Sequence, residues 1–387
     1  MFALWRVCRG DPIYQAKTAP PYAATYFNWA FYKTYALWSS PHKGPGEEAL
    51  MIFWARILTA VTAGAGILLS TFFCRRILPN DSSWALAPAL ALFVFTGPTI
   101  GWWLVTIRPD VGALVAETTG VWLFLHWHRT RPNYACFAAA GAFYLAWSFK
   151  PTYITALGTI WIFLAYRRRW SDLAKLTIAM TVLWSATIGF GGANYRSSIR
   201  DTATNNVFYP SIGLTNLLAA AKTAAPLFVL LALSMLSKMK PAGFSRATNL
   251  AADAAAIGLI GTVFSMTMLL VASSKLGAAP NYFMPTIFMA SLWAVGNIGL
   301  QGQPLPALGF GLAAVAIQLG LALGLWGTLD LNIQSTALAQ RWSLFEQQPE
   351  PRFSADSRLN FPWLNPGSPT LMPAYNYYQV EIMACHL

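Results

Sequence analysis

The sequence predicts an all-α protein, a polytopic transmembrane helix bundle of about ten spans. Three observations lead there. Of its 387 residues, 56% are hydrophobic and only 10% charged, with a mean hydropathy of +0.45, which is more apolar surface than one soluble core hides. Apolar stretches of about 20 residues, the length that crosses a hydrocarbon layer of about 30 Å, recur between short charged loops. Lysine and arginine, finally, alternate in density from loop to loop.

Residues 1–49 form an outer N-terminal segment rich in prolines and aromatics. The transmembrane domain covers 50–328, with spans at 50–74, 84–106, 111–127, 134–149, 151–166, 173–190, 224–237, 248–273, 281–300 and 305–328. Several are at or below the usual length, which leaves room for one or two broken or re-entrant stretches, and the seventh is the weakest. Small residues four apart, such as Ala60 with Gly64 and Gly309 with Ala313, suit close helix packing. Residues 329–387 form an outer C-terminal segment.

Orientation follows from the cations, because short loops rich in them stay in the cytoplasm. Arg75 with Arg76, Arg129 with Arg131, Arg167 to Arg169, and Lys238, Lys240 with Arg246 occupy every second loop. The short connections between them carry one cation each: Arg108, Lys150 and Lys275. The longer loop from Gly191 to Ala224 carries Arg196, Arg200 and Lys222. An even number of spans then puts both terminal segments on the outer side. A segment carrying Arg6, Arg9, Lys17, Lys33 and Lys43 does not cross unaided, and no signal region precedes it. The expectation is a further helix ahead of residue 1, a neighbouring subunit in that role, or a span count off by one.

The net charge of +12 lies at helix ends, as topology requires, and forms no stripe interleaved with aromatics, so nucleic acid is not an expected partner. Cys8, Cys74, Cys136 and Cys385 are too dispersed for a zinc motif or a disulfide framework, although Cys8 and Cys385 both fall outside. His126 and His128 flank Trp127 at a cytoplasmic helix end and suit interface anchoring better than metal ligation. No phosphate-loop, dinucleotide, zincin or hydrolase motif occurs.

The remaining polar residues gather at the outer helix ends. Asp11 stands among prolines and aromatics; Arg108 and Asp110 form one turn, Lys150 another, and Lys275, Asn281 and Tyr282 a third. Taken singly, Arg108 with Asp110 suits an ion pair capping a turn, Lys150 and Lys275 suit snorkelling to headgroups, and the run Tyr26 to Tyr32 suits an interfacial belt. Their joint placement suits a site for an anionic, lipid-linked substrate. Glu117, two turns beyond Asp110, is expected to bond a Thr or Ser of a neighbouring helix.

Gly10-Asp11-Pro12-Ile13-Tyr14, Pro20-Pro21-Tyr22, Phe27-Asn28-Trp29-Ala30-Phe31-Tyr32, Arg108-Pro109-Asp110, Phe149-Lys150-Pro151-Thr152 and Ala279-Pro280-Asn281-Tyr282-Phe283-Met284-Pro285 follow one another along the chain. In this order the sequence resembles bacterial multi-spanning glycosyltransferases of the C-type (GT-C) fold, relatives of the dolichyl-phosphate-mannose mannosyltransferases. Ala355-Asp356-Ser357, Asn365-Pro366-Gly367 and Pro373-Ala374-Tyr375 resemble their outer C-terminal segment. The resemblance implies transfer of a sugar from a polyprenyl-phosphate donor to a glycan or lipid acceptor on the non-cytoplasmic side of a bacterial inner (plasma) membrane, and a helix before the first outer loop. Asp11 matches the acidic position of that loop, where the family has a general base or metal ligand. Arg108, Lys150 and Lys275 become candidate phosphate partners, with Asp110 orienting Arg108 and with Asn281 and Tyr282 bonding sugar or phosphate. No cofactor is assigned. A divalent metal stays open, because no second acid stands beside Asp11 and Glu47 and Glu48 lie close to the first span.

The absent leading helix and the brief tail are departures from the family, and they give a second reading: an inactive scaffold or accessory subunit with membrane-protein partners. A lipid or solute transporter is the third. Against it, Glu117 and Asp253 are the only acids well inside the spans, and no internal repeat is present.

Overall fold

The computed structural model describes residues 2–14, 25, 27–42, 47–78, 80–204, 207–236, 246–275 and 278–301. Among them the chain is almost entirely helical, with no strand and one isolated bridge between Phe208 and Lys275. The helices are α1 (Phe2–Cys8), α2 (Trp29–Ser39), α3 (Glu48–Ile77), α4 (Asn80–Thr96), α5 (Pro109–Trp127), α6 (Pro132–Phe149), α7 (Thr155–Tyr166), α8 (Trp170–Phe190), α9 (Gly192–Thr204), α10 (Pro210–Leu236), α11 (Arg246–Ala272) and α12 (Met284–Gln301).

Among the described residues, five helical stretches are long and apolar enough to cross a membrane: Leu50–Ile77, Trp170–Phe190, Pro210–Ala232, Asn249–Ala272 and Pro280–Leu300. The expected spans 111–127 and 134–149 are the helices α5 and α6, whereas 84–106 and 151–166 differ for physical reasons. The stretch 84–106 is broken, because α4 ends at Thr96 before Gly97 and Pro98, and the chain continues through a 3-10 turn at Gly101–Val105 that starts on a glycine with φ +49°. Helix α7 has 12 residues, about 18 Å of rise, too short for a full crossing. The weak seventh stretch is the far half of a 27-residue helix, α10. Its polar residues hid it, yet they are satisfied inside the protein: Asn216 Nδ2 donates to the Ser273 carbonyl at 3.0 Å, and the Thr223 and Thr99 hydroxyls meet at 2.8 Å. The tenth span, 305–328, and the C-terminal segment 329–387 lie outside the described residues.

Two compact units emerge. Among the described residues the first takes in Met1–Leu58 and Thr187–Val207, and the second takes in Thr59–Ala186 and the chain from Phe208 onward. In the first, α1 packs on α2, whose start is capped by the Asn28 side chain accepting from the Trp29 amide. Phe31, Tyr32 and Tyr35 are core residues there, with Phe31 and Tyr35 rings 4.8 Å apart, so this part of the aromatic run is packed inside the protein.

In the second unit α11 packs on α12 and α7, and α5 packs on α6. These helices touch backbone to backbone. A side chain at Gly258 would strike the Trp293 backbone, and one at Gly296 would strike the Ala255 backbone. Gly64, marked by its spacing from Ala60, faces open space instead. Helix α5 begins with proline and Asp110 in its first turn, a favourable N-terminus. It buries fourteen of its nineteen residues, so its polar groups face protein.

Candidate functional site

The second unit holds two charged clusters at opposite ends of α5. At the N-terminal end Asp110 is 2% exposed, and its Oδ1 accepts from Lys150 Nζ at 2.6 Å and from Asn281 Nδ2 at 2.8 Å. Lys150 follows α6 in an extended conformation that Pro151 enforces, and Asn281 sits in the 3-10 turn Pro280–Phe283 leading into α12. Three separate segments thus converge on one carboxylate oxygen. Burial works against the charge on Lys150, yet Asp110 and Tyr282 beside it more than offset that and raise its pKa, with Arg108 near enough to oppose them.

Tyr282 gathers the cations. Lys150 Nζ lies 4.3 Å from its ring centroid and Lys275 Nζ 5.6 Å. Lys275 is held by its backbone bridge to Phe208 and has no carboxylate partner among the described residues. Arg108 N-caps α5 and lies over Trp103, 5.0 Å from the centroid. The expected pairing of Arg108 with Asp110 is therefore replaced: Asp110 serves Lys150, forty residues away, because the buried ammonium needs the charge more than a half-buried guanidinium does. Tyr282 meets cations through its ring, and Asn281 Oδ1 has no hydrogen-bond partner among the described residues.

Farther along α5, Glu117 Oε1 accepts from Thr155 Oγ1 at 2.9 Å and from the Ala156 amide at 2.7 Å. It bonds a threonine of a neighbouring helix, as its position suggested, and caps α7 from outside, since Ile154 at the N-cap offers no side chain for it.

The cluster at the other end was not foreseen. Buried Asp253 of α11 accepts from His128 Nε2 at 2.9 Å, from Arg129 Nε at 2.5 Å and from Arg167 Nη2 at 3.0 Å. Arg169 joins through Asp172 and the His128 carbonyl. His128 is thus a buried bonding partner, whereas His126 meets Arg76 at 3.1 Å and the Phe73 ring, closer to the anchoring role expected of both. A lone acid at the start of an apolar helix, beside loops rich in arginine, was the available signal.

Asp11 belongs to the first unit. It follows Gly10, whose φ of +96° turns the chain back, so that Arg6 Nε donates to Asp11 Oδ2 at 3.2 Å. The Arg6 side chain is 3% exposed and that of Asp11 49%. The described residues that follow are tied by hydrogen bonds: Thr25 bonds the Ile13 carbonyl, Tyr14 the Phe27 carbonyl, Ser198 the Thr25 carbonyl, and Tyr195 the Asn28 side chain. Burial of the Tyr14 phenol, beside Tyr32 and Tyr195, pushes its pKa far above the usual range.

Among the described residues no group of three or more His, Cys, Asp or Glu side chains is placed to hold a metal ion. Cys8, Cys74 and Cys136 are buried and form no disulfide among the described residues, and Cys385 lies outside them. Compared with protein-family models, with curated proteins and with solved structures, the chain finds no match.

Proposed function

We propose that the protein transfers a sugar from a polyprenyl-phosphate donor to a glycan or lipid acceptor on the non-cytoplasmic side of a plasma membrane. The observation that carries this reading is the cationic excess at Tyr282: Lys150 and Lys275 share one ring, and Asp110 bonds Lys150 whereas Lys275 has no carboxylate partner among the described residues. Such an excess at the end of a helix bundle suits a lipid phosphate, whose negative charge grows as the sugar leaves. Lys275, the cation without a carboxylate partner among the described residues, is the principal phosphate partner. The GT-C resemblance supplies Asp11 as the general base, half-exposed and held by Arg6.

Membranes carrying the full chain and radiolabelled polyprenyl-phosphate mannose, glucose or galactose test this. The wild type transfers label, Lys275→Gln weakens donor binding, and Asp11→Asn lowers the rate by about 100-fold or more. Melting temperatures are compared as well, because Asp11 also serves buried Arg6. Equal transfer by wild type and Asp11→Asn removes the assigned base. A scaffold reading has its own support, since Asp110 and Lys150 form the closed, buried pair that a structural staple requires. Absence of transfer by any form, with co-purification in a larger membrane complex, decides for the scaffold.

A further inference from the structure

Asn281 is 4% exposed and its two amide atoms have different fates. A carboxylate only accepts hydrogen bonds, so the group facing Asp110 has to be the amide nitrogen, and the orientation of the side chain is fixed by chemistry. The Oδ1 that results points away from Asp110 and has no partner among the described residues. A buried amide oxygen left without a donor is a standing cost to the folded protein unless a ligand supplies the donor. Phosphate does not, because its ionised oxygens accept and do not donate. A hydroxyl does, and in a polyprenyl-phosphate sugar hydroxyls stand within a few bonds of the phosphate.

We propose that Asn281 determines donor specificity: its Oδ1 accepts one hydroxyl of the sugar whose lipid phosphate is held by Lys275, with the Tyr282 ring beside it. This rests on the lipid-phosphate reading above. Asn281 thereby senses the sugar through a single acceptor and reports it to Asp110 and Lys150 through its amide nitrogen. A phospholipid headgroup such as glycerol carries the same pairing of phosphate and hydroxyl, so the experiment separates the two sources.

The full chain in phosphatidylcholine nanodiscs is titrated with bare polyprenyl phosphate, with its mannose, glucose and galactose esters, and with the monodeoxy forms of those esters. The expected result is that one deoxy form binds the wild type about 5–10-fold more weakly than its parent, the effect of one buried hydrogen bond. Asn281→Leu loses that discrimination, so that the parent ester and its deoxy form bind it alike. Asn281→Ser, too short to reach, is the second variant and is read in the same way. Discrimination that survives in both variants, or a wild type indifferent to every deoxy form, overturns the proposal and leaves phosphate binding standing. A wild type that binds no bare polyprenyl phosphate overturns the lipid-phosphate reading itself. If phosphatidylglycerol in the discs abolishes the Asn281-dependent difference, the hydroxyl belongs to a headgroup and the sugar assignment falls.

Discussion

Asp110 and Lys150 together are a stable arrangement and separately a liability. Removing one member of a buried ion pair leaves an uncompensated charge and costs about 3–5 kcal/mol, whereas replacing both with apolar groups of similar size is close to neutral. Asp110→Leu and Lys150→Met are each expected to lower the melting temperature of the purified protein sharply. The double variant should recover most of the loss, the remainder being the Asn281 amide left unpaired, about 1–3 kcal/mol. Single variants that melt with the wild type would show that the pair is solvated. All three members of this cluster were visible in the sequence as polar residues at helix ends, but their pairing was not. Asp110 stands two residues from Arg108, and adjacency suggested that partner. The true one is set by which cation the fold buries, a property of α6 meeting α5 that no local spacing encodes.

At the scale of elements, the α11 and α12 contact depends on missing side chains. Gly258 faces the backbone of Trp293, which does not yield as a flexible side chain would, so even the methyl group of Gly258→Ala forces the helices apart. We expect it to destabilise by about 1–3 kcal/mol. Gly64→Ala in α3 meets nothing within reach and gains helix propensity, about 0.5–1 kcal/mol in the opposite direction. Thermal unfolding of the two variants side by side should therefore give shifts of opposite sign, and a matching sign would contradict this packing. Helix identity was legible for α5, α6 and α8 because their apolar runs are bounded by proline or arginine. It was not for α9, a hydrophilic helix of the first unit, nor for the first half of α10, where Asn216 and Thr223 lower the hydropathy of a segment whose polar atoms are satisfied by its neighbours.

For the whole molecule, the charge alternation read from the sequence reappears as two ends of the second unit. His128, Arg129 and Arg167 close on Asp253 at one end of α5, and Lys150 and Asn281 close on Asp110 at the other, about 27 Å apart along the helix. The exposed residue Arg168, at φ 55°, belongs to the arginine-rich end, and Ala278 follows Lys275 at the other. If short arginine-rich loops stay in the cytoplasm, the two residues face opposite sides of the membrane. In a background with Cys385 replaced by serine, Ala278→Cys should react with a membrane-impermeant maleimide in intact spheroplasts, and Arg168→Cys only after permeabilisation. Cys8, Cys74 and Cys136 are buried and contribute little background. Labelling in the reverse order would invert the topology and put the Lys275 site on the cytoplasmic side, where the proposed donor chemistry does not operate. Labelling of both from outside would deny that the two ends of α5 face different aqueous phases.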